Sequence, residues 1–371
     1  MAASTLDSRI RGLHTRRMEL HSLGGYRLLE PVPTLSSTTR CFLACLDSAP
    51  EGSPPTALAK VLMPGEGEVY SVLKAQFAHE ANLLRSFSHP GIPSLRAAGT
   101  RTGVDFFVMD YIAGVDLGVL LGHESGEPRP LSKELAVYIL GQLADALRYV
   151  HTFEVSTEPE ADGEADGEAT GEAKPTSASD DDDDDDDGDD GGGDGFEDLD
   201  VLHRDLCPAN VYLSLDGDVI LGDFGSATSK WLAPEFTSAD AGHVAYKAPE
   251  RVTGSGKATV KSDLFSLGVI LWEILRGERC FTAGNELETM DEIVRFDISH
   301  SSRRVSGLSS KLSEVLRRNL DRDPERRYPH AYKVLQRLSQ SPEAGAAEKS
   351  RQELSRMVAE AMAARVPSKP R

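Results

Sequence analysis

The chain has 371 residues, of which 39% are hydrophobic and 27% are charged. This length and composition allow a sizeable core and exclude a chain that is disordered throughout. The formal net charge of −20 arises in one segment, since Glu154–Asp200 holds 22 acidic residues and one lysine. The remainder carries 39 basic and 38 acidic residues. A nearly neutral remainder gives no basic field, so we expect no nucleic-acid partner.

The cysteines and the apolar runs bear on the compartment. Four cysteines without C-x-x-C spacing are too few for a disulfide scaffold in a chain of this length, which favours a reducing, cytoplasmic location. The first 24 residues lack the apolar stretch of a secretory signal. The longest apolar run, Leu267–Leu275, is far shorter than the roughly 20 residues that cross a bilayer. We therefore expect no membrane partner.

The first part of the chain is predicted to be rich in strands. Residues 1–24 are polar and basic and are expected to form an arm. Val69–Phe87 has apolar residues at three- and four-residue spacing, which predicts a helix that ends before His89-Pro90-Gly91. Strands are predicted on both sides of this helix, at Tyr26–Glu30, Arg40–Leu46, Ala57–Leu62 and Asp105–Ile112.

The pattern becomes mainly helical from Ser132 onward. An apolar stripe from Leu135 to Val150 predicts a helix, and a turn containing Asp216-Gly217 joins two short strands. Residues 339–371 are expected to be a helical or disordered tail, with a helix near Gly345–Ala364. The other predicted elements are strands at Val211–Leu215 and Val219–Leu221 and helices at Asp263–Leu275, Leu308–Asn319 and His330–Leu338.

The acidic segment Val155–Asp200 interrupts this pattern. It contains eight consecutive aspartates, Asp180–Asp187, and a run of glycines. Such a composition cannot bury enough apolar area to fold, so residues 155–200 are predicted to be a disordered insert. We expect it to bind cations or basic partners loosely at most.

Three motifs indicate a chemistry. They are H-R-D-L-C-P-A-N at His203–Asn210, G-D-F-G at Gly222–Gly225 and A-P-E at Ala248–Glu250. In this order they resemble the motifs of the protein kinases, over about Tyr26–Leu338. The resemblance implies an α+β, two-lobed kinase fold. A small strand-rich lobe would cover residues 25–107, and a larger, mainly helical lobe would cover residues 108–338, including the acidic insert.

The resemblance also implies roles for single residues, with ATP and Mg²⁺ as cofactors. Asp205 would accept the proton of the substrate hydroxyl, and Asn210 and Asp223 would hold magnesium. Lys60, on the third strand, would bind the α- and β-phosphates, and Glu80 on the following helix would orient it.

Nucleotide and structural contacts follow from the same resemblance. Met109 would lie at the back of the adenine pocket, Asp110 and Ile112 would offer backbone hydrogen bonds to adenine, and Asp116 would reach the ribose. Two further contacts would hold the larger lobe together. They are Asp263 with the backbone near His203 and Arg204, and Arg327 with Glu250.

Several positions depart from the kinase pattern. Thr34, Ser36 and Thr39 stand where the family has the glycines of its phosphate-covering loop, and their side chains should weaken nucleotide closure. Cys207 stands where Ser/Thr kinases have a lysine, and His243 stands where they have a threonine. We interpret Cys207 as a small filler beside Asp205, with a reactive thiol as the alternative.

The predicted function is ATP- and Mg²⁺-dependent phosphorylation of Ser or Thr in a protein substrate, with reduced efficiency. The activation-segment motifs look closer to bacterial Ser/Thr kinases than to tyrosine kinases. The alternative is a pseudokinase, a scaffold that binds a partner or a nucleotide and transfers nothing. In the family, an arginine at the position of Arg204 reads a phosphate on the activation segment, for which the candidates here are Thr228, Ser229, Thr237 and Ser238.

Overall fold

A computed structural model describes residues 21–33, 38–123, 125–156, 196–238, 241–300 and 305–365. The chain divides into two compact units. The smaller unit comprises residues 1–64 and 95–111, and the larger unit comprises residues 65–94 and 112–371. The smaller unit is built on a β-sheet and the larger one is mainly helical, as an α+β protein requires.

The smaller unit is a six-stranded antiparallel sheet with the strand order β1-β2-β3-β4-β6-β5. Alternate residues of one strand, Ala57, Ala59 and Val61, lie on the buried face because successive side chains of a strand point to opposite faces. The strands are β1 (Ser22–Leu23), β2 (Tyr26–Val32), β3 (Thr39–Leu46), β4 (Ala57–Leu62), β5 (Leu95–Arg101) and β6 (Val104–Asp110).

The first strand corrects the predicted polar arm. Leu23 is fully buried in the core of this sheet, and Ser22 and Leu23 pair with Arg27 and Tyr26. Residues 22–23 therefore belong to the smaller unit, because an apolar side chain followed by Gly24-Gly25 can enter a hairpin. The rest of the predicted arm, residues 1–20, lies outside the described residues.

The larger unit has a buried central helix, α5 (Val260–Arg276), in which every residue from Ser262 to Ile274 is buried. A mainly apolar helix that is buried on all sides is expected at the centre of a domain. In the described part of the chain, no helix has both the length and the apolar character of a membrane crossing. The other helices are α1 (Glu68–Ser86), α2 (Leu117–Leu120), α3 (Lys133–His151), α4 (Pro249–Val252), α6 (Glu286–Arg295), α7 (Ser310–Asn319), α8 (Ala331–Ser339) and α9 (Ala347–Arg365).

A small three-stranded sheet contains the chain between the H-R-D-L-C-P-A-N and G-D-F-G motifs. Its strands are β7 (Gly114–Asp116), β10 (Val211–Ser214) and β11 (Val219–Leu221), in the order β11-β10-β7. A Cβ at Gly114 would lie 1.8 Å from the carbonyl oxygen of Leu213, so only glycine permits this approach. The pairing brings Asp116 opposite Tyr212, which lies just after the H-R-D-L-C-P-A-N motif.

The predicted disordered insert is ordered at both ends. Strand β8 (Glu154–Ser156) pairs antiparallel with β9 (Phe196–Asp198), with Ser156 opposite Phe196. The prediction of disorder is wrong for these residues, because the apolar neighbours of the tract anchor them. Leu199 is buried and its backbone N–H donates to the carbonyl of Phe153. Residues 157–195 lie outside the described residues.

The segment predicted as a tail contains a helix that packs on the larger unit. Leu354 and Val358 of α9 are fully buried. Arg351 donates to the carbonyl of Asp216 at 3.1 Å and to the carboxylate of Asp218 at 2.9 Å. This helix therefore covers the turn between β10 and β11.

Candidate active site

A buried carboxylate holds the backbone of the catalytic loop, which is the H-R-D-L-C-P-A-N motif at His203–Asn210. Asp263 of α5 accepts the backbone N–H of His203 on Oδ2 and that of Arg204 on Oδ1, both at 2.9 Å. His151 donates a third hydrogen bond to Oδ2 at 2.9 Å. Burial opposes the charge of Asp263, but these hydrogen bonds outweigh it and lower the pKa of its carboxyl. The contact predicted for Asp263 is thus confirmed.

Two residues of the motifs have left-handed backbones. Arg204 has φ 66° and Asp223 has φ 58°, a region that side-chain-bearing residues seldom occupy. Such strain costs on the order of 1–3 kcal/mol per residue and concentrates at functional sites. The hydrogen bonds that Asp263 accepts from the backbone N–H groups of His203 and Arg204 hold Arg204 in this conformation.

The G-D-F-G turn is attached to the catalytic loop. The backbone N–H of Gly222 donates to the carbonyl of Asn210 at 2.9 Å, and the ring of His203 lies 3.1 Å from the carbonyl of Gly222. Phe224 is fully buried and packs edge-on against His203, with ring centroids 4.8 Å apart. These contacts bring the backbone before Asp223 next to Asn210.

Asn210 orients Asp205. Its Nδ2 donates to the backbone carbonyl of Asp205 at 2.8 Å and to the carboxylate oxygen Oδ2 at 3.2 Å. Because Nδ2 is engaged with Asp205, the amide presents its oxygen Oδ1 as an acceptor on the other side. The side chain of Asp205 is only 10% exposed, so its carboxylate sits in a defined position.

The other oxygen of Asp205 faces His243. The backbone N–H and the ring nitrogen Nδ1 of His243 both lie 2.8 Å from Oδ1 of Asp205. The same Nδ1 lies 3.5 Å from Sγ of Cys207, which is fully buried. The two residues that replace the family's lysine and threonine therefore contact each other, and His243 also contacts the proposed catalytic carboxylate.

A glycine makes this approach possible. Gly242 has φ 91°, and a Cβ there would lie 2.5 Å from the carbonyl oxygen of Arg204. Arg251 fastens the two chain segments by donating to the carbonyls of Arg204 and Ala241, both at 2.9 Å. Sequence reasoning missed Gly242, although a glycine directly before His243 was the available signal.

The charges of this group follow from its contacts. The hydrogen bond to Asp205, with a smaller contribution from Cys207, raises the pKa of His243 to about 11. Burial raises the pKa of the Cys207 thiol. A buried thiol with a raised pKa is a poor nucleophile, which favours the interpretation of Cys207 as a small filler over the reactive thiol.

Three predicted nucleotide residues, Lys60, Met109 and Asp110, lie in the smaller unit. Lys60 is on β4, opposite Phe107 of β6, and its Nζ lies 5.8 Å from the centroid of that ring. Met109 pairs with Leu58, and Asp110 ends β6. The Asp110 carboxylate accepts a hydrogen bond of 2.5 Å from Arg96.

Three others, Glu80, Ile112 and Asp116, lie in the larger unit. Glu80 is on α1 and is 2% exposed. Ile112 is half-buried and precedes β7. Asp116 caps α2 by accepting the backbone N–H of Val119 at 3.1 Å.

Of the three residues that stand where the family has loop glycines, the described part of the chain includes only Thr39. It begins β3 and pairs with Leu62 of β4. Thr34 and Ser36 lie outside the described residues.

The activation segment, which is the chain between the G-D-F-G and A-P-E motifs, contacts both α1 and the catalytic loop. His79 of α1 lies 2.8 Å from the hydroxyl of Ser229, and burial lowers the pKa of His79 to about 4. Arg204 donates to the carbonyl of Ser238. Burial, with the nearby charge of Arg251, lowers the pKa of Arg204 to about 10. Of the four candidate phosphorylation positions, Ser229 is buried and Ser238 adjoins Arg204.

The predicted pair of Arg327 and Glu250 is confirmed. Nη1 and Nη2 of Arg327 donate to the two carboxylate oxygens of Glu250 at 2.9 and 2.8 Å. Burial opposes ionisation of Glu250, but Arg327 outweighs it and lowers the pKa of the carboxyl. This pair fixes the A-P-E segment next to the start of α5.

Comparisons with known proteins find similar sequences. Residues 197–338 match the protein kinase domain family. The chain is 26% identical over 256 residues to the tyrosine-protein kinase MasK of Myxococcus xanthus, and 26% identical over 263 residues to the serine/threonine-protein kinase PknB of Mycobacterium tuberculosis. Each match covers 69% of this chain and 34% of the relative.

A third relative matches a shorter stretch. The serine/threonine-protein kinase PknL of Mycobacterium tuberculosis is 34% identical over 133 residues, which covers 35% of this chain and 33% of the relative. The chain therefore spans about a third of the length of the curated relatives that it matches. The family match, the order of the motifs and the α+β, two-lobed fold agree in making this chain similar to the protein kinases.

Proposed function

We propose that this protein transfers the γ-phosphoryl group of ATP to serine or threonine residues of a protein substrate, with Mg²⁺ as the metal. The observation that carries the proposal is the contact of Asn210 with the backbone and the carboxylate of Asp205. It supports an oriented general base next to a group that can bind a hard cation.

In this proposal Asp205 accepts the proton of the substrate hydroxyl. Proton transfer requires a carboxylate in a fixed place, since misplacement by about 1 Å can cost a hundredfold in rate. Asn210 holds Oδ2 of Asp205, and the hydrogen bonds of Asp263 hold the loop from the other side.

The donor set fits magnesium. Asn210 offers an amide oxygen, Asp223 offers a carboxylate, and Mg²⁺ prefers such hard oxygen ligands. Bound magnesium would neutralise charge on the phosphates during transfer. Lys60 would bind the phosphates and Glu80 would orient it, while Asp110, Ile112 and Asp116 would bind the nucleoside; these roles rest on the family resemblance.

We expect transfer to be slow. In this chain Oδ1 of Asp205 already accepts two hydrogen bonds from His243, and a neutral thiol stands in place of the family's lysine. Loss of one preorganised charge-stabilising group typically costs about a hundred- to a thousandfold in rate.

The same contact favours a second candidate function, a pseudokinase scaffold. An Asp205 that is held by His243 would not be available to a substrate hydroxyl. In that case the chain would bind a partner or a nucleotide and transfer nothing.

The test is phosphoamino-acid analysis after incubation with γ-labelled ATP, Mg²⁺ and a generic basic protein. The proposal expects label on serine or threonine. Label on tyrosine alone would contradict the proposed specificity, a relevant outcome because one relative is named a tyrosine-protein kinase. Binding of ATP and Mg²⁺ without any transfer would favour the scaffold.

A further inference from the structure

The side chains that replace the family's lysine and threonine form a cluster of metal-ligand type. Sγ of Cys207, Nδ1 of His243 and a carboxylate oxygen of Asp205 all lie within 4.8 Å of one another. We propose that these three residues bind a thiophilic divalent cation, with Zn²⁺ as the preferred ion, and that its binding stops phosphoryl transfer.

The chemistry of the ligands selects the metal. Zinc takes thiolate, imidazole and carboxylate ligands in a tetrahedral arrangement. Magnesium prefers oxygen ligands and would discriminate against a site with sulfur and nitrogen. Three protein ligands leave a fourth position for water, as in zinc sites that remain open.

The distances require only small movements. With ordinary zinc–ligand bond lengths, tetrahedral geometry separates the ligand atoms by about 3.3–3.7 Å. Sγ of Cys207 and Nδ1 of His243 are already 3.5 Å apart, whereas Nδ1 and Oδ1 of Asp205 are 2.8 Å apart and must open slightly. The ring of His243 can make this adjustment because its side chain is 51% exposed.

The surroundings hold two ligands in place and leave an entry path. Asn210 binds the second oxygen of Asp205, as an outer-shell partner of a metal ligand commonly does. Cys207 is buried, whereas the side chain of His243 is half exposed, so a metal would enter the cluster at His243. On binding, the metal replaces one proton on the thiol and one on the imidazole, and both protons leave to solvent.

The consequence for activity rests on the proposed function, whereas the binding itself does not. A metal bound to Oδ1 of Asp205 would occupy the carboxylate oxygen that Asn210 leaves available to the proton of the substrate. Phosphoryl transfer would then stop although ATP and Mg²⁺ still bind. Removal of the metal by a chelator would restore it.

Binding is tested on the reduced full chain with Co²⁺ as a spectroscopic substitute for Zn²⁺. One equivalent should give a near-ultraviolet thiolate-to-cobalt band and intense tetrahedral visible bands, and one equivalent of Zn²⁺ should abolish both. The acidic segment offers only oxygen ligands and cannot produce the thiolate band. Absence of that band in the folded wild-type protein would overturn the proposal.

Variants assign the ligands. Cys207→Ala should abolish the thiolate band, and His243→Thr should weaken Zn²⁺ affinity at least tenfold, since loss of even an outer-shell partner costs roughly 10–100-fold. Cys280→Ala, which changes another buried thiol of the same unit, should keep the band. Circular dichroism checks that each variant is folded. A thiolate band that persists in folded Cys207→Ala, or Zn²⁺ affinity that is unchanged in His243→Thr, would contradict the assignment.

Activity provides a separate readout. Micromolar Zn²⁺ should lower phosphoryl transfer by wild type at least tenfold and have a much smaller effect on Cys207→Ala. A thiolate band without inhibition would refute the effect on phosphoryl transfer and leave the binding site standing. If the zinc-free protein transfers no phosphate at all, the proposed function fails, and the spectrum alone decides whether the metal binds.

Discussion

His243 donates to one oxygen of Asp205 from both its backbone N–H and its ring nitrogen Nδ1, each at 2.8 Å. In the Ser/Thr kinase pattern that this chain resembles, a lysine and a threonine contact the aspartate at this position. Here the cationic group is the imidazole of His243, because Asp205 raises its pKa to about 11. The proposed catalytic base is therefore paired with a charge that the substrate must share or displace.

Restoring the family's residues should accelerate transfer. We predict that Cys207→Lys combined with His243→Thr raises the single-turnover rate of phosphoryl transfer about tenfold or more, with little change in ATP affinity. The reason is that a lysine stabilises charge that develops only in the transition state. Rapid-quench measurement on a generic basic protein gives the rate, and ATP titration gives the affinity.

The single variant Cys207→Lys is the control for that experiment, because His243 remains and would crowd or repel the ammonium group. It should gain less than the double variant. A wild-type rate already within roughly 1–100 per second, as in typical kinases, would mean that Cys207 and His243 do not limit catalysis.

The pair of Arg327 and Glu250 should contribute strongly to stability. Their side chains are 0% and 10% exposed, and removal of one partner leaves a buried charge. We predict that Arg327→Ala lowers the free energy of unfolding in urea by about 3–5 kcal/mol. Arg356→Ala, which breaks an exposed pair with Glu360, is the control and should change it by less than about 0.5 kcal/mol. Equal effects of the two variants would contradict the prediction.

Glu273 should make stability depend on pH. It lies on α5, where it accepts hydrogen bonds from Tyr246 and from the backbone of Cys280, and His123 lies 3.7 Å away. Burial raises the pKa of Glu273 from 4.5 to about 7. The folded state thus binds this proton more tightly than the unfolded state, and the resulting stabilisation is present below about pH 4.5 and is lost as the pH rises through 7.

Replacement by glutamine removes this dependence. We predict that the stability of Glu273→Gln relative to wild type increases by about 3 kcal/mol between pH 4.5 and pH 8. His79, whose pKa burial lowers to about 4, titrates in the opposite direction, but the difference between the two proteins cancels its effect. Urea unfolding at several pH values measures it. A difference that does not change with pH would show that Glu273 is already ionised in the folded state at pH 5.

The acidic segment should be dispensable for folding. Ser156 and Phe196 are paired neighbours, so a two-residue Asn-Gly turn can replace residues 157–195. Since loop closure costs only about 0.6 kcal/mol per doubling of length, we predict a melting temperature within a few degrees of wild type. Leu199→Ala, which truncates a buried anchor after β9, is the comparison and should lower it further. Collapse of the shortened protein would show that the replaced residues pack on the domain.

The sequence predicted most of the secondary structure because its elements have clear apolar periods. The strand predicted at Arg40–Leu46 spans Thr39–Leu46, and the helix predicted at Val69–Phe87 spans Glu68–Ser86. Helix α6 was missed because it buries only Thr289 and Ile293. The hairpin of β8 and β9 was missed because the acidic composition around it outweighed two three-residue strands.

The site was predictable within a motif but not between motifs. The contact of Asn210 with Asp205 joins residues of one short loop, whose pattern the family fixes. The contact of His243 with Asp205 joins residues 38 positions apart, and its distance depends on the backbone at Gly242 and on Arg251. The sequence shows which residues depart from the kinase pattern, but it does not predict the hydrogen bonds that those residues form.

The most direct test of the account compares phosphoryl transfer by wild type and by Asp205→Asn. Both proteins receive γ-labelled ATP, Mg²⁺ and a generic basic protein, and binding of ATP and Mg²⁺ is measured in parallel. The account predicts transfer by wild type that stops when magnesium is chelated, and a loss of about a hundredfold or more in Asp205→Asn with nucleotide binding retained. Equal transfer by the two proteins, or none by a wild type that binds ATP and Mg²⁺, would contradict it.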